Sequence, residues 1–201
     1  MTGTVVVTGA AGFIGRWVVD ELLERGYDVR GLDDLSNGSQ RNIDQFELDD
    51  RFDLTVGNIE ERGVVRELLD DDTEACIHLA AEIDVQESLD NPQSHFETNV
   101  VGTQRVLEAC RGTDTRLGLV GTCMVYDMVD SEDGIDESHP TKPASPYAGT
   151  KLAAENIAES YYHGYNLPVT ILRPFNTYGP FQKMSMAGGV VSIFTSRDIK
   201  G

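Results

Sequence analysis

Lysine is nearly missing from this chain. Of sixteen basic residues, four are lysines (Lys142, Lys151, Lys183, Lys200) and twelve are arginines. They face 34 acidic residues, which leaves a formal net charge of −18. Nucleic acids and anionic membranes are held through clustered positive charge, so neither is expected as a partner. An acid-rich, lysine-poor surface suits a protein kept soluble in very high salt, where screening removes the cost of self-repulsion; an ordinary acidic cytosolic protein is the alternative.

Long apolar runs are also absent. None approaches the ~18 residues of a membrane span, and Val5–Val7 is too short for a signal peptide. Cysteine is scarce: Cys76, Cys110 and Cys123 are odd in number and lie in apolar surroundings. They read as reduced thiols, with Cys123 inert, and point to a cytoplasmic location. The histidines His78, His95, His139 and His163 are scattered without ligand spacing. Glu82, Asp84 and Glu87 fall at a strand end and a solvated helix start. No metal site is expected.

What remains is an ordinary globular composition, 40% hydrophobic over 201 residues, enough for one substantial core. Thr4–Thr8 is a β-branched run ending in a glycine turn. Phe13–Arg25 has helical periodicity, with Ile14, Val18, Leu22 and Leu23 on one side, and Asp28–Asp33 is a second strand. The alternation continues through strands at Phe52–Val56, Ala75–Leu79, Arg116–Gly121 and Val169–Arg173. Helices are expected at Glu61–Leu69, Pro92–Arg111 and Tyr147–Tyr165. This is the pattern of a doubly wound parallel α/β sheet occupying residues 1–180.

The turn Thr8-Gly9-Ala10-Ala11-Gly12-Phe13-Ile14-Gly15 spaces its glycines as G-x-x-G-x-x-G. Gly9 permits the turn off the strand, Gly12 leaves room for a pyrophosphate at the helix N-terminus, and Gly15 lets the helix pack on the sheet. Glycines alone are weak evidence; strand, helix and a following acid together are not. That acid is Asp33, at the tip of the second strand, where a carboxylate can accept both ribose hydroxyls and repel a 2′-phosphate. No arginine follows it, which favours NAD over NADP.

Downstream, Tyr147 and Lys151 stand four residues apart, on one helix face. A nearby cation lowers a phenol's pKa and fits it for proton transfer near neutrality. Thr122, at the end of the fifth strand, can bind the same substrate oxygen. The spacing also fits a tyrosine packed on a lysine stem, but here it follows a dinucleotide turn. His78 follows a buried strand and reads as a packed core residue rather than a base.

These residues resemble the NAD-dependent sugar-nucleotide epimerase/dehydratase family, within the extended short-chain dehydrogenase/reductases and closest to members of the UDP-glucose 4-epimerase kind. Thr8–Gly15 is similar to the family's TGxxGxxG, and Asp33–Gly38 to its ribose-binding loop. His78-Leu79-Ala80-Ala81 is similar to HxAA, Asn99–Thr103 to NxxGT and Val125-Tyr126 to VY. Tyr147–Lys151 is similar to YxxxK, and Arg173–Pro180 to RPFNxYGP.

The resemblance implies the Rossmann (doubly wound) fold and a resident NAD contacted by Gly9, Gly12, Phe13, Ile14, Gly15, Asp33, Asn37, Asn58, Ile59, Leu79, Ala80, Ala81, Asn99, Tyr147 and Lys151. Tyr147 would be the acid/base, Lys151 would hold the nicotinamide ribose and depress the Tyr147 pKa, and Thr122 would bind the reacting oxygen. Asn99 would orient the site, Asn176 would contact the substrate diphosphate and Ser88 would line the sugar pocket. Family dehydratases carry Asp-Glu after the threonine, where this chain has Cys123 and Met124, so elimination is disfavoured. Reversible oxidation at C4 of a nucleotide-diphosphate sugar, of the UDP-glucose/UDP-galactose type, is the reaction implied. A dehydratase or another epimerase is the enzymatic alternative.

Members usually continue into a small domain that closes over the substrate, of which residues 181–201, with a helical piece at Gly189–Thr195, would be the beginning. A non-catalytic NAD-binding module or truncated subunit is therefore the second reading. The family's habit of packing helices such as Asn99–Arg111 and Tyr147–Tyr165 across a two-fold axis implies a homodimer.

Overall fold

The computed structural model describes residues 3–127 and 134–183. Six strands form one sheet: β1 Thr4–Thr8, β2 Asp28–Asp33, β3 Phe52–Val56, β4 Thr73–His78, β5 Arg116–Val120 and β6 Val169–Leu172. Their order is β3-β2-β1-β4-β5-β6, and every pairing is parallel. This is the doubly wound Rossmann sheet, with its topological switch between β1 and β4.

Helices α1 (Phe13–Glu24), α2 (Val64–Leu68), α3 (Val85–Asp90), α4 (Pro92–Phe96), α5 (Thr103–Arg111) and α6 (Pro146–Tyr165) complete the described chain. All five residues of β1 are buried because both faces of the sheet are covered. Val5 and Val7 pack with Val19 and Leu23 of α1 and with Ile43 and Phe46. Val6 faces the opposite core, built from Val65 of α2, Leu107 and Cys110 of α5, and Ala158 of α6. The period of two in a strand places neighbouring valines in different cores.

Helix bounds depart from expectation where local chemistry intervenes. Gly63, at φ +93°, takes the N-cap of α2, so the helix expected from Glu61 begins at Val64. The single helix expected over Pro92–Arg111 is α4 and α5 joined by a π-helical stretch, Glu97–Gly102. That wider turn carries Asn99, and π-turns are frequent at functional sites. Asp84 caps α3 by accepting hydrogen bonds from the Gln86 and Glu87 amides at 2.8 and 3.1 Å. The expected helix at Gly189–Thr195, and the expected beginning of a second domain at 181–201 except for residues 181–183, lie outside the described residues. Among the described residues, no helix is long and apolar enough to cross a membrane.

Candidate active site

A cleft of about 1350 Å³ opens along the carboxyl ends of the strands, from the glycine turn to the start of α6. At the turn, Gly9 has φ +73°, and a Cβ there would lie 2.8 Å from the Ala80 amide nitrogen. Gly12 is the N-cap of α1 with no side-chain cap, and the first turn of α1 carries no acid. Its first N–H groups have no partner within the helix and bear the positive end of the helix dipole. A Cβ on Gly12 would meet only the Gly9 carbonyl, at 3.1 Å, and the cleft side stays open. A pyrophosphate fits this cradle.

Asp33 is 7% exposed and works at the same turn. Its Oδ2 accepts from the Ala11 amide at 2.9 Å and its Oδ1 from Leu35 at 2.8 Å. Burial pushes its pKa up, and these backbone N–H groups oppose that shift. Each carboxylate oxygen accepts more than one hydrogen bond, so capacity is left for ribose hydroxyls. Asn58 faces the cleft but is engaged, donating to Asp34 at 3.1 Å and accepting from the Glu60 amide at 2.8 Å.

The opposite wall belongs to α6 and the end of β5. Ser145 caps α6 by accepting from the Ala148 amide at 3.2 Å, and Pro146 occupies the first turn, where its missing N–H costs nothing. Next to it in that first turn, Tyr147 is buried and hydrogen-bonded to Thr122. Thr122 also accepts from the Met124 amide at 3.3 Å, which fixes its rotamer. Lys151, 5% exposed, donates to the Val120 carbonyl at 2.7 Å. Burial lowers its pKa to about 8, with Glu155 opposing.

Glu155 lies one further turn along α6, 2% exposed, and its Oε2 pairs with Arg173 Nε and Nη2 at 2.9 and 2.8 Å. A Cβ on Gly121 would fall 2.1 Å from Glu155 Oε1, so glycine there makes the pocket for this carboxylate. Arg173 lies over the Tyr126 ring at 4.8 Å, and Tyr126 stacks on Phe175. The chain of contacts runs from α6 to the loop carrying Asn176.

The family model for the NAD dependent epimerase/dehydratase family matches residues 5–199. The chain belongs to this family. A UDP-glucose 4-epimerase from Mycolicibacterium smegmatis is 38% identical over 204 residues, covering 98% of this chain and 63% of its own length. The structure of Pal from Bacillus thuringiensis superposes with a TM-score of 0.94 at 46% identity, over 98% of this chain and 64% of that one. A dTDP-glucose 4,6-dehydratase from Streptomyces venezuelae, solved with NAD bound, gives a TM-score of 0.90 at 34% identity, over 98% and 62%. The chain thus spans less than two thirds of the length of these relatives. NAD is the cofactor of the family, and the cradle described above fits it.

Most of the expected residues line the one cleft: Gly9, Gly12, Phe13, Ile14, Gly15, Asp33, Asn37, Asn58, Ile59, Leu79, Ala80, Ala81, Thr122, Tyr147, Lys151 and Asn176. Two do not. Asn99 is 1% exposed, and its amide is engaged by protein: it accepts from the Glu82 amide and donates to the Glu82 carbonyl and Thr150 Oγ1, at 2.9, 3.0 and 3.1 Å. It orients the wall from behind. Ser88 is fully buried, donating to the Val85 carbonyl within its own helix.

Lys151 is not among the groups that shift the Tyr147 pKa in this structure. Burial raises the Tyr147 pKa, the Thr122 hydrogen bond opposes it, and the lysine ammonium is directed to the Val120 carbonyl instead. His78 is a core residue, bonded to Thr8 at 2.6 Å and Thr103 at 3.0 Å, with its pKa lowered by burial to about 3.

Sequence reasoning missed Glu155, whose signal is a glutamate eight residues after Tyr147 on the same helix, and it dismissed His95. The His95 ring is fully buried and stands edge-on to Tyr147, 6.2 Å between centroids.

Two measurements follow from this geometry. Asp33→Asn weakens NAD about tenfold or more while NADP changes less, read by fluorescence titration. Equal loss for both would restrict Asp33 to holding the loop. Between about pH 8, where folded Lys151 releases its proton, and pH 10.5, where the unfolded chain does, rising pH stabilises the fold. Compared with Lys151→Met in urea unfolding, the wild type gains up to about 3 kcal/mol across that window. A pH-independent difference would mean that the buried ammonium titrates normally.

Proposed function

We propose that this chain carries the cofactor and catalytic half of an NAD-dependent epimerase that inverts C4 of a nucleotide-diphosphate sugar, of the UDP-glucose/UDP-galactose type. The observation that carries the reading is the joint wall of Thr122, Tyr147 and Lys151 across the cleft from the glycine cradle. Cys123 and Met124 occupy the cleft beside Thr122, and burial keeps the Cys123 thiol protonated. Neither side chain moves protons near neutrality, as an elimination requires. That favours epimerisation over dehydration.

The chemistry NAD supplies when bound is reversible storage of the C4 hydrogen with its electron pair. The protein's own work is proton transfer and orientation. Tyr147 Oη takes the proton of the C4 hydroxyl and returns it when the carbonyl is reduced on the other face. Thr122 positions that oxygen through the hydrogen bond it already shares with Tyr147. Lys151 keeps a cation one helical turn away, and Asn176, exposed at the cleft mouth, reaches toward the diphosphate.

A homodimer through α5 and α6 belongs to the same reading, as does a cytoplasmic location with an acidic surface suited to high salt. The two helices lie side by side, tied by the hydrogen bond from Tyr161 Oη to Glu108 at 2.5 Å. Tyr162 and Tyr165 of α6 are exposed along them. Sedimentation of the purified chain at micromolar concentration is expected to show a dimer; monomer alone rejects that part of the reading.

Conversion of UDP-galactose to UDP-glucose with NAD present tests the activity. Tyr147→Phe is expected to lower turnover by about 10²–10⁴-fold while NAD affinity holds. Turnover surviving in that variant would remove Tyr147 as the base. NAD binding without any conversion would support the binding-module reading for this chain.

A further inference from the structure

His95 presents an anomaly next to the catalytic tyrosine. It is fully buried on α4, yet neither ring nitrogen has a hydrogen-bond partner. Buried imidazoles are ordinarily satisfied at one nitrogen at least, since an unpaired buried polar group costs about 1–3 kcal/mol. What faces the ring is acidic. One oxygen each of Glu82 and Glu87 and one His95 nitrogen lie within 4.8 Å of one another. No hydrogen bond or ion pair closes between these three side chains among the described residues.

We propose that Glu82, Glu87 and His95 form a divalent transition-metal site of the zinc kind beside Tyr147. An ion bound at about 2.0–2.2 Å holds its ligands roughly 3–4 Å apart, so small side-chain rotations bring the three donors to bonding distance. Two carboxylates and a neutral imidazole balance the ion's charge, and three protein ligands leave positions open. The donor types agree with the environment. Glu82 and Glu87 bring two carboxylates to one place, and a cation between them offsets their mutual repulsion.

The cleft supplies the reason for such an ion. Its described wall carries five acids, from Asp33 to Asp84, against two lysines, Lys151 and Lys183. A dinucleotide and a nucleotide-diphosphate sugar bring further negative charge to the same space. A dication in the Glu82 loop offsets it and fixes the His95 ring against Tyr147. The part played toward a diphosphate rests on the proposed function; the binding of the ion does not.

The test is a Zn²⁺ titration of chelator-treated protein by calorimetry, with Mg²⁺ as control and NAD affinity measured on every sample. One Zn²⁺ per chain is expected, bound at least a hundredfold more tightly than Mg²⁺ because imidazole and magnesium are poorly matched. His95→Phe, which keeps the ring volume, and Glu87→Gln, on an exposed position, are each expected to weaken Zn²⁺ tenfold or more. NAD affinity unchanged in both variants shows that the fold and the cofactor cradle persist. Zn²⁺ binding equal to Mg²⁺, or unaffected by either substitution, overturns the site as diffuse binding to an acidic surface. No Zn²⁺ binding by wild-type protein that still binds NAD overturns it outright.

Discussion

The Cα of Gly15 lies so close to the carbonyl of Gly9 that a Cβ on it would fall 1.9 Å from the oxygen. This backbone-on-backbone contact lets α1 start directly over the end of β1. The Gly9 amide then donates to Leu32 at 2.7 Å, which draws the end of β2 to the same point and presents Asp33 beneath the turn. Asp33 in turn holds the Ala11 and Leu35 amides. Gly38 closes over it, since a Cβ there would come within 2.6 Å of Oδ1. One steric condition thus sets the helix position, the acid position and the floor of the cleft. A side chain at Gly15 would have to move backbone, which does not yield as a flexible side chain does.

The far wall depends on charge rather than on close approach. Lys151, Glu155 and Arg173 bring three ionisable groups into the interior beside the fifth and sixth strands. Burying such groups is costly unless geometry and hydrogen bonds compensate. The two-point contact of Arg173 with Glu155 compensates one carboxylate oxygen; the other, Oε1, has no partner. Glu155 opposes the effect of burial on Lys151, whose pKa falls to about 8. The wall therefore keeps a cation next to Tyr147 at neutral pH, in a protein with very few lysines.

Strands were legible because each is short, apolar and followed by a breaker, and because β1 is buried on both faces. The glycine turn, Asp33 and the Tyr147–Lys151 pair were legible because their spacing is local, on one strand tip or one helix face. What escaped depends on contacts distant in sequence. Asn99 and Ser88 occupy recognisable positions, but their partners, the Glu82 backbone and the Val85 carbonyl, turn them away from the cleft. Glu155 depends on Arg173 eighteen residues later, and His95 on a loop thirteen residues earlier. The π-helical stretch at Glu97–Gly102 is six residues inside an otherwise α-helical segment, too short to leave a periodic signal of its own.

The polar atoms left without hydrogen-bond partners are not spread through the core. Among the described residues, the buried side-chain atoms of this kind belong to Arg16, His95 and Glu155. Arg16 has another form of compensation, with its guanidinium 4.3 Å from the Trp17 ring centroid and 3.9 Å from that of Phe181. Cation–π contacts of this kind are worth about 0.5–2 kcal/mol and tie α1 to the segment that follows β6. His95 and Glu155 have no such substitute, and both flank the Tyr147–Lys151 face of α6. A core selected for stability alone would pair these atoms or replace them with apolar groups. Two of the three groups instead stand around one tyrosine and one lysine on the cleft side of α6, where buried charge and unpaired polar atoms are concentrated.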